Sequence, residues 1–302
     1  MRYMVTPTVS VVIPTLNAAT EIDDLLGSLV QQTLMPVDII VIDSQSDDDT
    51  VSKAKKYDDV RVIEIRRSEF NHGLTRHFAA VQTCGDYICF LTQDAVPSDE
   101  HYLENLVAPM LRDSEIALVS ARQIPKKDAR RFEQLVRNFN YPEQSSVRSK
   151  ADLSKYGIKT FFASDACSAY RRSAYAACGG FPQVNTNEDM LMAALLIAAG
   201  WKVAYEPSAS VYHSHNLTLK QQYNRNKQIG FFLQTHTQEL LNVSEIGEGK
   251  RLVIEVAKQL IKERRFAEFT AFGFDCMARL AGNRAGRKDA LRSEHLENGK
   301  DE

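Results

Sequence analysis

The stretch Ile39-Ile40-Val41-Ile42-Asp43 decides the fold, because four β-branched apolar residues end in a carboxylate and a polar run, 44–50, follows. A second run of the same design, Tyr87–Asp94, also closes on an acid. Short continuous apolar runs predict strands that are buried on both faces, as in a parallel sheet. In open α/β sheets, ligands bind just beyond the carboxyl ends of the strands. The two acids therefore predict a polar ligand there, such as a nucleotide with its metal.

Further strands and helices alternate along the chain on both sides of these runs. Apolar runs at Val9–Pro14, Val60–Ile65 and Ile116–Ser120 alternate with segments whose apolar residues have helical spacing, such as Ile22–Val30. This alternation over the first 120 residues predicts parallel βαβ units and a doubly wound sheet. The polar, irregular stretch 123–159 that follows is typical of a functional loop.

The pattern divides the chain into three parts. Residues 1–216 form the α/β part, with later strands predicted at Phe161–Tyr170 and Lys202–Tyr205. Residues 217–281 have mainly helical periodicity, which predicts a C-terminal helical extension. Residues 282–302 are highly charged with almost no apolar side chains, and this composition predicts a disordered tail.

Composition excludes several classes of protein. A net charge of −2 argues against a nucleic-acid binder, which needs a basic face. The five cysteines are scattered and lack C-x-x-C spacing, which argues against a disulfide framework or zinc site and fits a reducing cytoplasm. No run reaches the ~18–20 apolar residues of a transmembrane helix, so we expect a cytoplasmic protein, at most peripheral to a membrane. The absence of G-x-G-x-x-G argues against an NAD-dependent oxidoreductase, and the absence of a Gly- and Lys-rich phosphate loop after the first strand argues against a nucleotidyltransferase.

Each acid at a predicted strand or helix end has two explanations. Asp43 can accept hydrogen bonds from a base or ribose, or it can be a turn acid. Asp94 can bind a divalent ion that bridges phosphates, since hard cations prefer carboxylate oxygens, or it can be structural. Glu188-Asp189 opens a helix, where acids complement the helix dipole, but an acid there that faces a cleft can act as a general base.

The histidines and arginines leave similar alternatives. The run Tyr212–His215 follows a predicted strand, and a neutral imidazole there can bind metal or be satisfied by a neighbouring side chain. The run Phe70–Gly73, with Arg76 after it, is a polar entry to a helix in which Asn71 can act as the N-cap. Arg225 on a later predicted helix can meet a diphosphate or lie on a solvated face.

Taken together and in order, these motifs resemble those of the family-2 glycosyltransferases with the GT-A fold. The similarity spans about Thr8 to His215, and Phe70–Gly73 with Thr92–Ala95 resembles the rhamnosyltransferase branch in particular. It implies a Rossmann-like, mainly parallel sheet flanked by helices. The motifs that carry it are Val11–Asn17, Ile40–Ser44, Phe90–Ala95, Gly179–Phe181 and Asn187–Asp189.

The resemblance also implies roles for individual residues. Asp189 matches the general base, and Glu188 and Asp165 would lie near the acceptor. Asp94 matches the last acid of the D-x-D motif, and His213 matches a histidine that completes the metal site, so Mg²⁺ or Mn²⁺ is the implied cofactor. The nucleotide-sugar donor would be contacted by Pro14, Thr15, Asn17, Asp43, Asn71, His72, Arg76, Gln93 and Asp94.

One departure from the family pattern concerns Thr92, which stands where the D-x-D motif has its first acid. The metal would then have fewer protein carboxylates. Mg²⁺ tolerates this because it keeps waters and takes phosphate oxygens. The missing acid also favours one alternative, a non-catalytic sugar-nucleotide-binding protein, whereas the intact Glu188-Asp189 pair opposes it.

The expected reaction is an inverting transfer of L-rhamnose from dTDP-L-rhamnose to a hydroxyl of a glycan or lipid-linked acceptor in bacterial surface polysaccharide synthesis. Asp189 would take the acceptor proton, and the metal with Arg76 or Arg225 would stabilise the leaving diphosphate. A family-2 transferase that uses a UDP-sugar is the alternative enzyme. The aromatic-rich run 266–280 fits an interfacial helix on the inner face of the cell membrane, a packed helix or a homodimer contact.

Overall fold

One mixed β-sheet organises the chain in the computed structural model, which describes residues 6–243 and 248–298. The strands are β1 (Val9–Thr15), β2 (Asp38–Asp43), β3 (Val60–Glu64), β4 (Tyr87–Leu91), β5 (Val96–Pro97), β6 (Ile116–Ile124), β7 (Ser146–Arg148), β8 (Cys167–Arg171) and β9 (Lys202–Tyr212). The helices are α1 (Ile22–Leu29), α2 (Thr50–Ala54), α3 (His72–Ala80), α4 (Tyr102–Arg112), α5 (Arg131–Asn140), α6 (Leu153–Tyr156), α7 (Arg172–Ala177), α8 (Glu188–Ala198), α9 (Leu219–Thr235), α10 (Glu248–Lys262) and α11 (Phe266–Asn298).

The sheet has the strand order β3-β2-β1-β4-β8-β6-β9-β5, and β7 pairs with β9 beside this path. Strands β1 to β4 are parallel to one another, as the alternation predicted. Strand β8 then lies antiparallel between β4 and β6, while β6 and β9 are parallel. The carboxyl ends of β1, β2 and β4 therefore meet at one edge, where the acidic motifs begin.

Burial on both faces explains the continuous apolar runs. Alternate residues of β2 enter two different cores, because side chains of a strand point to opposite faces. Ile39 and Val41 pack in the core that includes α1 and α4, whereas Ile40 and Ile42 pack in the core that includes α8. Each buried isoleucine contributes about 1.5–3 kcal/mol. With both faces covered, the strand ends remain as the place for a ligand.

Strands β8 and β9 both differ in their bounds from the prediction. Phe161 was expected to begin a strand that runs to Tyr170, but it ends a 3-10 turn and is fully buried, and the strand begins only at Cys167. The intervening bend at 164–166 carries Asp165 into the protein interior. Strand β9 is longer than predicted and continues to Tyr212, so that it delivers His213 directly to the edge of the sheet.

The C-terminal helices form the predicted extension, but the prediction of a disordered tail from residue 282 is wrong for the described residues. Helix α11 continues through Asn298 and lies against α9. A Cβ on Gly282 would lie 2.2 Å from the backbone carbonyl oxygen of Tyr223, and one on Gly286 would lie 1.9 Å from the backbone carbonyl oxygen of Lys227. The two helix backbones touch through these glycines. The amino-acid composition did not predict this contact, because glycine contributes no apolar side chain and is frequent in disordered segments.

Among the described residues, no helix combines the length and the apolar character that crossing a membrane would require.

Candidate functional site

A cavity of about 490 Å³ lies at the carboxyl ends of β1, β2 and β4. Six of the residues predicted to contact the donor line it, and Asn17, Asp43 and Asn71 do not belong to the lining. The described lining residues are Pro14, Thr15, Leu16, Glu21, Ser44, Arg67, Phe70, His72, Arg76, Thr92, Gln93, Asp94 and His215.

Asp43 and Asn17 join the loops beneath and beside this cavity. The Asp43 carboxylate accepts hydrogen bonds from Thr15 Oγ1 at 2.9 Å and from the backbone N–H and hydroxyl of Ser46 at 2.8 and 2.6 Å. Asn17 has a φ of +52° and accepts from the backbone N–H of Asp47 at 2.8 Å. Asp43 is fully buried in this arrangement, and its predicted contact with the base stays a prediction. Asp43 fixes Thr15, which lines the cavity.

Gln93 joins the loop after β4 to the loop after β1 through two hydrogen bonds. Its Oε1 accepts from the backbone N–H of Leu16 at 2.8 Å, and its Nε2 donates to the Leu16 carbonyl at 3.2 Å. Next to it, the buried hydroxyl of Thr92 has no hydrogen-bond partner among the described residues. Since buried polar groups are normally paired, this hydroxyl is available to a ligand in the cavity.

Asp94, His213 and His215 form a group that fits a divalent cation. One ligand atom from each lies within 4.8 Å of the others. The Nε2 atoms of His213 and His215 lie 3.4 and 3.6 Å from the two Asp94 oxygens. Two imidazoles and a carboxylate depart from the all-oxygen set that Mg²⁺ prefers, and suit a transition-metal ion better.

Neighbouring groups prepare these side chains as ligands. Gln123 Oε1 lies 2.9 Å from His213 Nδ1 and also accepts a hydrogen bond from Arg137. Because this oxygen is an acceptor, its contact with His213 requires a proton on Nδ1, which leaves the unprotonated Nε2 facing Asp94. Burial lowers the pKa of His213, and burial with the neighbouring His213 lowers the pKa of His215 to about 4. Burial opposes ionisation of Asp94, but His213, His215 and Lys126 outweigh it and hold the pKa below its ordinary value.

A cluster of three carboxylates, Asp165, Glu188 and Asp189, lies near the N-terminus of α8. Oδ1 of Asp165 accepts from the hydroxyls of Ser168 and Tyr170 at 2.5 and 2.8 Å. Its buried Oδ2 has no hydrogen-bond partner among the described residues. Burial, followed by the charge of Glu188, raises the pKa of Asp165 to about 7.

Asp189 is half-buried in this cluster. Its Oδ1 accepts a hydrogen bond from the backbone N–H of Met190 at 2.7 Å, and its Oδ2 accepts one from the backbone N–H of Asp165 at 3.3 Å. Burial, then repulsion by Glu188 and Asp165, raises the pKa of Asp189 well above its ordinary value. A carboxyl with a raised pKa is a better proton acceptor once it is ionised, which is what a general base requires.

Arg76 connects the carboxylate cluster to the cavity. Its Nη1 lies 3.1 Å from Glu188 Oε1 and donates to the backbone carbonyl of His72 at 3.0 Å. Both Arg76 and Glu188 are buried, and the Nε of Arg76 has no partner among the described residues. Arg76 and His72 line the cavity while Glu188 adjoins Asp189 in sequence, so the cavity and the predicted base are separated by one ion pair.

Two differences from the sequence-based site remain. Asn71 is the N-cap of α3, accepting from the backbone N–H of Leu74 at 3.0 Å, which confirms the capping alternative. His215 was not predicted as a ligand. Its signal was present in the His-x-His spacing, because residues i and i+2 of an extended chain point to the same side. Gln123 carries no such signal, since only the pairing of β6 with β9 brings it to His213.

Two solved structures share this architecture over most of the chain. The mannosyltransferase PcManGT from Pyrobaculum calidifontis, in complex with GDP-Man and Mn²⁺, has a TM-score of 0.64 at 16% identity, covering 95% of this chain and 88% of that chain. S. aureus TarS 1–349 has a TM-score of 0.55 at 17% identity, covering 93% and 92%. At these identities the likeness establishes the fold, which is GT-A as expected.

Sequence relatives are closer. The O-antigen chain rhamnosyltransferase RfbN of Salmonella typhimurium is 44% identical over 226 residues, 74% of this chain and 72% of the relative. The O-antigen chain rhamnosyltransferase WbaN of Salmonella anatum is 42% identical over 229 residues, 75% and 72%. The sequence model described as Glycosyl transferase family 2 matches residues 10–179, more than half of the chain. The fold, the order of the site residues and these matches agree, and the chain belongs to the family-2 glycosyltransferases.

Proposed function

We propose that this protein is an inverting rhamnosyltransferase that moves L-rhamnose from dTDP-L-rhamnose to a hydroxyl of a glycan or lipid-linked acceptor in bacterial surface polysaccharide synthesis. The observation that carries the proposal is the junction of two groups: a cavity with three candidate metal ligands, and a cluster of carboxylates that contains Asp189. The similarity to two proteins named as O-antigen chain rhamnosyltransferases supports the choice of sugar.

The proposed reaction is a single displacement at the anomeric carbon. The acceptor hydroxyl loses its proton to Asp189 while its oxygen forms a bond to the anomeric carbon. The bond from that carbon to the diphosphate oxygen breaks, and its electron pair leaves with dTDP. Arg76, buried between the cavity and Glu188, contributes a fixed positive charge beside the sugar and the developing negative charge.

Asp94, His213 and His215 would hold the divalent cation. When bound, such a cation neutralises charge on the leaving diphosphate. The second imidazole compensates for the acid that Thr92 replaces, and this weakens the argument for a non-catalytic binder. The two nitrogen ligands favour Mn²⁺ over Mg²⁺ as the working ion.

Thermal unfolding with a panel of nucleotide sugars tests the proposal. A ligand that binds only the folded state adds RT ln(1 + [L]/Kd), about 2.7 kcal/mol at 100 times Kd. We expect a shift with dTDP-L-rhamnose that Mn²⁺ increases and EDTA abolishes. A shift with UDP-sugars instead would replace rhamnose by another donor. Binding without transfer to any acceptor of a lipid-linked glycan panel would return the non-catalytic alternative.

A peripheral contact with the inner face of the cell membrane is the second part of the proposal. Exposed apolar side chains lie along one side of α11, where Phe266 is 64% exposed and Met277 is 57% exposed. Arg264 and Arg265 precede this helix, and positive charge beside exposed aromatic residues suits an anionic lipid surface. A homodimer that covers the same side is the competing arrangement.

A further inference from the structure

A second, smaller cavity of about 180 Å³ adjoins the donor cavity, and His215 lines both. It lies between α5, α9 and α11, beside the loop that follows β9. Three guanidinium groups line it, from Arg137, Arg225 and Arg279. We refer to it below as the arginine cavity.

Two of these arginines have their own carboxylates. Arg137 pairs with Glu133 at 2.9 Å, and Arg279 Nε lies 2.6 Å from the buried Asp275. Arg225 has no hydrogen bond or ion pair with any other residue that the structure describes. Three guanidinium groups therefore face two carboxylates, and the unmatched positive charge is that of Arg225.

Arg225 lines the cavity as an exposed side chain, and no carboxylate that the structure describes forms an ion pair with it. Partial withdrawal from solvent, followed by repulsion from Arg137, lowers its pKa, and attraction by Tyr141 and Glu133 offsets this only in part. Its guanidinium is therefore available to bind an anion that enters the cavity, together with Arg137 and Arg279.

The chemistry of the lining points to phosphate. Guanidinium groups bind phosphate oxygens through paired hydrogen bonds, and several together suit a group with more than one negative charge. At about 180 Å³ against about 490 Å³, the arginine cavity is too small for a nucleotide sugar. The donor diphosphate also has its own candidate cation ligands on the other side of His215. The second anion is therefore expected from the other substrate.

We propose that the arginine cavity binds a phosphate or diphosphate group of the acceptor. The identity of this substrate rests on the proposed transferase function, whereas the existence of an anion site does not. The acceptor sugar would then reach the donor cavity past His215. Arg279 lies on α11, the helix that carries the exposed apolar side chains, so the arrangement also accommodates a diphosphate attached to a lipid.

The anion site is tested without catalysis. Inorganic pyrophosphate is titrated calorimetrically into the full chain in EDTA, comparing wild type with Arg225→Ala, Arg225→Lys and Lys220→Ala. Lys220 is exposed on the same helix and is not a lining residue of the cavity, so its loss is the matched control for charge. We expect Arg225→Ala to weaken binding by about 10- to 100-fold, Arg225→Lys by less, and Lys220→Ala to have little effect. Equal binding by wild type and Arg225→Ala overturns the proposal.

The identity of the substrate is tested by steady-state kinetics with pairs of acceptors that share one sugar, an alkyl glycoside and an alkyl-diphosphate glycoside. We expect Arg225→Ala to raise KM for the diphosphate acceptor about 10- to 100-fold, and to leave KM for the glycoside and for the donor unchanged. A rise in the KM for the donor would assign the cavity to the donor and overturn the proposal. A wild-type protein that shows no preference between the two acceptors would also overturn it. If wild type transfers to neither, the proposed function fails while the pyrophosphate result still decides the anion site.

Loss of folding does not obscure these tests. Within the described residues, the loss of Arg225 breaks no hydrogen bond or ion pair, and it relieves repulsion from Arg137 and Arg279. The midpoint of thermal unfolding of Arg225→Ala is expected to equal or exceed that of wild type.

Discussion

The carboxyl of Asp189 differs from an ordinary helix-capping acid because two other carboxyl groups share its surroundings. At the residue scale, this gives the first prediction. Asp189→Asn keeps the shape of the side chain but removes the proton acceptor, and general-base action contributes about 10²–10⁴ in rate. We expect kcat to fall by that factor while the dTDP-L-rhamnose Kd stays within a few-fold of wild type. Asp24→Asn, an exposed acid on α1, is the control. Unchanged turnover in Asp189→Asn would exclude it as the base.

The raised pKa of Asp165 predicts how stability depends on pH. The folded pKa of about 7 exceeds the ordinary value of 3.8, so the folded state binds more protons between these values. Stability then falls as pH rises from about 4 to about 7, by at most about 1.4 kcal/mol for each pKa unit of difference. Urea unfolding at pH 5.5 and 8 should show a smaller pH-dependent loss in Asp165→Asn than in wild type. An equal loss of stability in wild type and Asp165→Asn would mean that another carboxyl group of the cluster binds the proton.

His215 provides the third prediction, because it replaces a ligand that the D-x-D position lacks. His215→Ala removes one of three candidate ligands, and even the loss of a group behind a ligand costs about 10–100-fold in metal affinity. The Mn²⁺ concentration for half-maximal transfer should therefore rise at least 10-fold, and excess Mn²⁺ should restore turnover. His101→Ala, an exposed histidine on another face, should leave the Mn²⁺ requirement unchanged. Equal requirements in both variants would remove His215 from the metal site.

Residue-level prediction from sequence reached furthest where the order of motifs carried the information. The resemblance assigned Asp94 and His213 to one metal site, and the structure places the two side chains together. The contact of Asp165 with Asp189 could not be predicted, because it depends on a bend at 164–166 that apolar periodicity does not encode. The hydrogen bonds of Asp43 could not be predicted either, because a carboxylate at a strand end looks the same in sequence whether it faces a ligand or holds a loop.

At the scale of elements, the crossing of α9 and α11 predicts opposite effects for two glycines of one helix. A Cβ at Gly286 would meet the Lys227 oxygen at 1.9 Å, whereas one at Gly273 meets nothing within 4 Å. Gly286→Ala should destabilise the protein by about 1–3 kcal/mol through overpacking, and Gly273→Ala should stabilise it by about 0.5–1 kcal/mol. Thermal unfolding of the two variants measures the difference. A stabilised Gly286→Ala would contradict the close helix contact.

Elements were predictable where the pattern of apolar residues was strong. The first four strands and α1 follow directly from buried runs and helical spacing. The antiparallel course of β8 was not predictable, since its direction is set by pairing with β4 and β6 rather than by its own residues. Helix α11 was shortened in the prediction because its glycines and charges were counted as disorder.

For the whole molecule, the exposed side of α11 predicts partition to anionic vesicles. Replacing Phe266, Phe274 and Met277 by Ser removes exposed apolar area that insertion would bury, at about 1.5–3 kcal/mol for a fully buried side chain. Sedimentation with vesicles of anionic lipid should recover wild type and lose the triple variant. Leu111→Ser, an exposed leucine on α4, should sediment like wild type. Wild type that stays in the supernatant as a dimer, with the variant monomeric, would assign the surface to a homodimer.

His215 forms a common wall of the donor cavity and the arginine cavity, and a shared wall can couple the occupancy of one to the occupancy of the other. A cation bound with the donor would hold the imidazole toward Asp94 and would so fix the wall of the second cavity. If the donor–cation complex then binds the acceptor more tightly, the acceptor must tighten that complex by the same factor, whichever substrate binds first. The cooperation between the two substrates would thus depend on the position of one side chain.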